Sequence, residues 1–251
     1  MKRFESKVVL VLGGNAGIGR ATAVAFAREG AKVVVAARRE AQGVAVAQAI
    51  QKEGGTARFI RTDVASEADV KAVIDRTVKE FGELDVLFNN AGIEGKAGPI
   101  GVLTAADFDE TFGINVKGTW LAMKHALPHL VRTKGSIVNN GSVVAEVGFP
   151  DASIYSATKG AVHALTQAAA IEFISQGVRV NAVAPGPIET DMATRVFGGI
   201  EHLRAFAKQT VPVGTPGVVE DIAAAVLYLA SPESRFVVGQ VLTVDGGMTV
   251  R

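Results

Sequence analysis

A serine, a tyrosine and a lysine define the chemistry this chain can do: Tyr155 and Lys159 stand four residues apart, and Ser142 precedes the tyrosine by thirteen positions. Four residues is just over one helical turn, so the phenol and the ammonium fall on one helix face and act on one small region. A phenol with a pKa of about 10 is a weak acid at pH 7, and each unit by which a neighbouring cation lowers it corresponds to about 1.4 kcal/mol. The pairing therefore suits proton transfer to or from an oxygen. Taken alone, a tyrosine with a lysine one turn on is also what a solvated helix face carries.

A second signal lies near the start. Lys7 to Leu12 (KVVLVL) reads as a buried strand, and Gly13-Gly14-Asn15-Ala16-Gly17-Ile18-Gly19 follows at once, opening a helix expected to turn Ile18, Ala21, Val24 and Ala25 inward. Strand, glycine turn and helix come in the order a nucleotide site needs. Glycines let backbone approach a pyrophosphate, and a helix N-terminus offers unpaired N–H groups. The spacing is G-x-x-x-G-x-G, not the G-x-G-x-x-G of the commonest dinucleotide fingerprint, and such a cluster also serves as a plain turn.

Together these residues resemble the short-chain dehydrogenase/reductase family, whose glycine pattern is T-G-x-x-x-G-x-G and whose active site combines Asn, Ser, Tyr and Lys. The resemblance extends over nearly the whole chain. It rests on Gly13 to Gly19, Asp63-Val64, Asn89-Asn90-Ala91-Gly92, Asn115, Ser142, Tyr155 to Lys159 (YSATK), Asn181 to Gly186 (NAVAPG) with Thr190, and Asp245-Gly246-Gly247. Leu12 departs from the pattern, since the family usually has a threonine there that braces the turn.

The resemblance implies roles. Tyr155 would give a proton to a carbonyl oxygen as hydride arrives from a nicotinamide, and take it back in the alcohol direction. Lys159 would lower the tyrosine pKa and hold the nicotinamide ribose, Ser142 would stabilise the carbonyl oxygen, and Asn115 would hold a water linking Lys159 to solvent. Asp63 would accept from the adenine amino group, with Val64 beside the ring and Asn90-Ala91-Gly92 passing close to the cofactor. Gly13, Asn15, Gly17, Ile18 and Gly19 at one end, and Pro185, Gly186, Ile188 and Thr190 at the other, complete the expected cofactor site. Residue by residue there are plainer readings: Ser142 and Asn89 to Gly92 as turns, Asn115 as a polar residue inside a helix.

Cofactor choice is partly readable. An acidic residue about 20 positions after the glycine loop normally binds the adenosine ribose hydroxyls. Here the second strand ends Val35-Ala36-Ala37-Arg38-Arg39, without a carboxylate. Ala37 stands where NAD-using relatives tend to carry Asp, and Arg38, with Arg39 beside it, offers a planar fork for a 2′-phosphate. This favours NADP(H) over NAD(H), although two arginines solvating a loop would look the same.

Composition narrows the classes. With 48% hydrophobic and 20% charged residues there is ample core, and a net charge of +1 gives no case for nucleic acid. The absence of cysteine excludes disulfides and thiol chemistry. No apolar h-region follows Met1 to Lys7 and no run approaches the roughly 18 apolar residues of a membrane span, so a cytoplasmic protein without membrane contact is expected. His125 and His129 share an i, i+4 spacing, but Pro128 should interrupt their helix and no third ligand is near, so no metal is expected.

Strand-like and helix-like segments alternate throughout, which predicts a doubly wound α/β fold of Rossmann type: one domain over 1–251, with a seven-stranded, mainly parallel sheet and helices on both faces. Strands are expected at about 7–12, 32–37, 57–62, 84–89, 135–140, 178–183 and 240–244. A helix after Ser66 should bury Val70, Val73, Ile74, Val78 and Phe81, capped by Ser66 with Asp69 and ended by Gly82. Another should run on from Thr104 through Asn115. Residues 186–217, rich in Pro and Gly around a short helix at Glu201 to Lys208, break the alternation; the resemblance implies a mobile substrate loop there, and a surface excursion without substrate contact is the plainer reading. Trp120 and Tyr228, among apolar neighbours, are expected to pack inside. The helices around Trp120 and from Ala161 to Phe173 are apolar on more than one face, and the resemblance, in whose family the equivalent helices pair across a two-fold axis, implies a homo-oligomer, with a homotetramer expected.

The leading expectation is thus a carbonyl reductase/alcohol dehydrogenase acting on a small, mostly uncharged molecule. Its rivals are a 3-oxoacyl-carrier protein reductase of the same family and a non-catalytic cofactor-binding regulator. Glu94, Lys96, Glu146 and Arg195 either line the cleft or face water, and the sequence does not decide which.

Overall fold

A computed structural model describes residues 2–251. Seven strands, β1 (Val8–Leu12), β2 (Lys32–Ala37), β3 (Thr56–Arg61), β4 (Val86–Asn89), β5 (Ser136–Asn140), β6 (Arg179–Pro185) and β7 (Val241–Val244), form one sheet in the order β3-β2-β1-β4-β5-β6-β7. Every neighbouring pair is parallel. The central strands β1, β2 and β4 are buried almost throughout because both faces of the sheet are covered, whereas the edge strands β3 and β7 are partly exposed. Val9 and Val11 point into one layer, Leu10 and Leu12 into the other.

The first layer holds α1 (Gly17–Arg28), α2 (Glu40–Lys52) and α9 (Val219–Ala230); the second holds α3 (Glu67–Phe81), α5 (Gly118–Thr133) and α6 (Ser153–Phe173). In α1 the buried stripe is Thr22, Ala23, Phe26 and Ala27, one position round from the expected one, because Phe26 is the largest side chain and takes the centre of the layer. In α3, Val70, Val73 and Ile74 are buried as expected; the Ser66 hydroxyl accepts from Asp69 N, and Gly82 at φ 87° ends the helix.

The helix after Thr104 runs on through Asn115 as expected, α4 (Ala105–Phe112) passing through a π-turn, Gly113–Lys117, that holds Asn115 and leads into α5. Two sequence expectations fail. Pro128 does not stop α5, which runs on to Thr133. Trp120 and Tyr228 are 46% and 40% exposed, so neither is a core residue; Lys124 Nζ lies 5.3 Å from the Trp120 ring centroid.

Residues 186–217 hold two helices, α7 (Asp191–Val196), which the sequence reading missed, and α8 (Ile200–Thr210). Thr190 caps α7 by accepting from Ala193 N. The segment closes on itself at its neck: Ile188 bridges Gly217, Glu189 N donates to Gly217 O and Gly217 N to Pro187 O, each at 2.9 Å. Ala207 of α8 packs with Val143, Val211 and Met248 in a small separate core.

Candidate active site

The strand order reverses between β1 and β4, and in a doubly wound sheet ligands bind at that crevice, beyond the carboxyl ends of the strands. A cavity of about 400 Å³ opens there. At one end its wall is the glycine turn, with Gly13, Asn15, Gly17 and Ile18, facing Ala37, Arg38 and Arg39 at the end of β2. At the other end stand Tyr155 and Lys159 of α6, while Thr190, against Gly17, and Asp191, Met192 and Arg195 of α7 also line the cavity. Thr62 and Val64 after β3, and Asn90, Ala91 and Gly92 after β4, form the wall between.

The glycine turn is built for close approach. Gly13 has φ +77°, and a Cβ on it would stand 2.8 Å from the Ala91 backbone. Gly17, at φ +50°, faces Thr190, while Gly19 is off the cavity and packs against Gly13 O, where any side chain would collide. Ala16 gives α1 no side-chain cap, so the first-turn N–H groups lack that partner. Gly13 N and Gly14 N donate to Ala36 O at 2.7 and 3.4 Å, which fixes the turn to β2 without the threonine that Leu12 replaces.

The two arginines differ. Asn15 Nδ2 donates to Gln42 Oε1 at 2.9 Å, and with its amide turned over its oxygen would accept from Arg39 Nε and Nη2 at 3.0 and 2.9 Å. Arg38 is exposed and makes no hydrogen bond or ion pair among the described residues. Its guanidinium keeps its donors for a ligand.

A chain of amides joins the turn to the catalytic end. Asn90 Nδ2 donates to Gly13 O at 3.0 Å, Asn140 Nδ2 to Asn90 Oδ1 at 2.9 Å, and Lys159 Nζ to Asn140 O at 2.7 Å. Asn140 was not anticipated. Its signal was the repeated Asn-Asn pair closing two adjacent strands, Asn89-Asn90 and Asn139-Asn140, which the register Asn89↔Asn139 sets side by side.

Lys159 Nζ lies 5.5 Å from the centroid of the Tyr155 ring. Lys159 is buried, and burial brings its pKa down from 10.5 to about 8. Burial also pushes the Tyr155 phenol up to about 12; the Ser142 hydroxyl beside it pulls the other way, and the Glu94 carboxylate adds a smaller upward push. Tyr155 keeps an accessible edge on the cavity, so water there tempers the upward shift. The expected lowering by Lys159 is not what dominates here. Ser142 lies just past β5, outside the cavity wall, and its hydroxyl also accepts from Val144 N.

Asn115 is off the wall too. Its Oδ1 accepts from Ile93 N at 2.8 Å, and its Nδ2 donates to Ile93 O at 2.8 Å and Thr158 Oγ1 at 3.1 Å. Both side-chain N–H groups are committed, so it clamps the turn after β4 onto α6. Asp63, between the wall residues Thr62 and Val64, accepts from Ala65 N at 3.0 Å. Pro185 ends β6, Gly186 packs against Asp245, and Ile188 belongs to the core and the neck of the 186–217 segment.

Of the four charged residues left open, Glu94 and Arg195 line the cavity, paired at 3.1 Å. Lys96 is 3.7 Å from Asp107, and Glu146 meets Thr243. His125 Nε2 is 3.0 Å from Glu67 and His129 Nδ1 3.1 Å from Arg132.

Comparison with known proteins places this arrangement. Residues 13–249 match the family model described as enoyl-(acyl carrier protein) reductase. The chain is 41% identical to cis-4-hydroxycyclohexanecarboxylate dehydrogenase of Sinomonas cyclohexanicum, over 98% of each chain. Levodione reductase superposes with a TM-score of 0.95 at 35% identity, over 99% of both chains. A short-chain type dehydrogenase/reductase from Mycobacterium ulcerans gives 0.94 at 32% identity, over 99% of this chain and 91% of its own. Sheet order, glycine turn and the Tyr155–Lys159 helix thus agree with sequence and structural kinship, and the chain belongs to the short-chain dehydrogenase/reductase family of oxidoreductases.

Proposed function

We propose that the protein is a carbonyl reductase/alcohol dehydrogenase that interconverts a ketone and a secondary alcohol with NADP(H) as preferred cofactor and Tyr155 as general acid and base. The observation that carries this reading is the placement of Tyr155 and Lys159 at one end of a single cavity whose other end is the glycine turn and an unengaged Arg38. When bound, the nicotinamide cofactor supplies the hydride for reduction and accepts it in oxidation.

The residues fit that cofactor. The Gly13 and Gly17 backbone and the first turn of α1 suit a pyrophosphate, Arg38 a 2′-phosphate, and Val64 the adenine region. Lys159 is within reach of a ribose on the cavity side of α6. Tyr155 gives its proton to the carbonyl oxygen during reduction, and the Ser142 hydroxyl donates to that oxygen as charge develops. Held protonated, the phenol is ready as an acid; oxidation needs the phenolate, which the Ser142 hydroxyl favours, so that direction gains with rising pH.

The relatives' names, a hydroxycyclohexanecarboxylate dehydrogenase and a reductase, support a small alcohol or ketone as substrate. The apolar groove beside Trp120, lined by Phe112, Val116, Leu165 and Ala168, with Phe108 and Ile171 exposed, supports a homotetramer. The test is NADPH and NADH oxidation against a panel of cyclic and open-chain ketones. Turnover confined to no ketone at all would remove the proposal.

A further inference from the structure

Glu94 and Arg195 come from opposite rims of the cavity, the turn after β4 and α7, and meet across its substrate end. Arg195 Nη2 and Nε both donate to Glu94 Oε1, at 3.1 and 3.3 Å. Both side chains line the cavity that contains Tyr155, as does Asp191 at the start of α7. Asp191 has no side-chain partner among the described residues. The mouth thus carries two carboxylates and one guanidinium, and that guanidinium is already engaged.

We propose that the Glu94–Arg195 pair is a charge gate over the substrate end of the cleft, admitting uncharged carbonyl compounds and disfavouring carboxylate-bearing ones. This rests on the reading of Tyr155 as the site of proton transfer. A neutral ketone can pass the pair without disturbing it. An anion meets the partly exposed Glu94 and Asp191 before the buried Lys159, and gains Arg195 only by displacing Glu94; selectivity by such repulsion needs no added contact with the favoured ligand. Side chains 59% and 29% exposed make a weak pair, so the gate opens readily and acts as a filter rather than a lock.

The same charge reaches the reacting group. The charged side chains that line the cavity with Tyr155 are Lys159 on α6, Glu94 after β4, Asp191 and Arg195 on α7, and Arg38 and Arg39 after β2. Glu94 is the one carboxylate that adds to the upward push on the phenol. Removing it lowers the pH at which alcohol oxidation sets in.

The test is calorimetric titration of the NADP+-loaded protein with cyclohexanecarboxylate and cyclohexanecarboxamide, which share a ring and differ in charge. The wild type should bind the amide at least tenfold more tightly. Glu94→Gln should narrow that ratio several-fold by tighter carboxylate binding, Arg195→Met should widen it, and Arg195→Lys, which keeps the pair, should leave it near the wild-type value. Equal ratios in all four proteins, a wild type that prefers the carboxylate, or a cleft that binds neither ligand would each overturn the gate. Tyr155→Phe in the same titration separates the two readings. Moved ratios with turnover retained in Tyr155→Phe would sink the proton-transfer reading alone, and turnover lost with ratios unmoved would sink the gate alone.

Discussion

Asn140 Nδ2 donates to Asn90 Oδ1 at 2.9 Å, and through that one bond the glycine turn and Lys159 become parts of a single rigid unit. Asn90 holds Gly13 O, and the Asn140 carbonyl holds Lys159 Nζ. The two ends of the cavity are therefore positioned by one another.

Asn140→Ala removes the donor that orients Asn90 and leaves the carbonyl that holds Lys159. A lost hydrogen bond among partly buried amides is worth about 1–2 kcal/mol, so cofactor affinity should fall on the order of tenfold. Fluorescence titration with NADPH measures it. An unchanged Kd would mean that Asn90 keeps its place without Asn140.

Lys159 carries a cost in the cofactor-free protein. Below pH 8 the lysine is charged in both folded and unfolded chains, and the folded chain bears the full burial penalty. Between about 8 and 10.5 the unfolded chain binds more protons, so stability rises with pH; above 10.5 the penalty is gone. Lys159→Met should accordingly stabilise the free protein at pH 7, by at most about 3 kcal/mol, and by much less at pH 10. Urea unfolding at the two pH values checks this. A destabilisation equal at both would contradict it.

Much of this was legible before the structure. Continuous apolar runs such as KVVLVL and VVVAA could only be strands covered on both faces, and their bounds fall within two residues of those observed. Asn115 was legible as a residue and not as a geometry, because a π-turn has no sequence period of its own. Pro128 misled because a helix tolerates a proline where its neighbours hold the chain in place; Leu127 and Leu130 on either side are buried. Trp120 misled because an apolar neighbourhood in sequence is the same for a core and for an exposed apolar groove. The Glu94–Arg195 contact spans 101 positions, and nothing in either segment announces the other.

For cofactor choice, the unengaged Arg38 predicts a preference for NADPH over NADH in kcat/KM on the order of tenfold or more, from about 1.5–3 kcal/mol for a charge-assisted contact. Arg38→Ala should weaken NADPH far more than NADH, and Ala37→Asp with Arg38→Ala should invert the preference. Equal loss with both cofactors would show that Arg38 only solvates its loop.

Light scattering at micromolar concentration should give about four times the 26.0 kDa chain mass. Trp120→Glu, placing a charge in the apolar groove, should lower that mass without altering the circular dichroism of the fold. A wild-type mass of one chain would remove the tetramer.

The central claim is that Tyr155 moves the proton, and single-turnover reduction of a responsive ketone by Tyr155→Phe, with NADPH affinity measured on the same sample, tests it most directly. Phenylalanine keeps the ring beside Lys159 and removes only the transferable proton. The account predicts hydride transfer slowed by at least about a thousandfold, within the range that general acid–base catalysis contributes, with NADPH Kd within a few-fold of wild type. Hydride transfer within tenfold of wild type would show that another group supplies the proton.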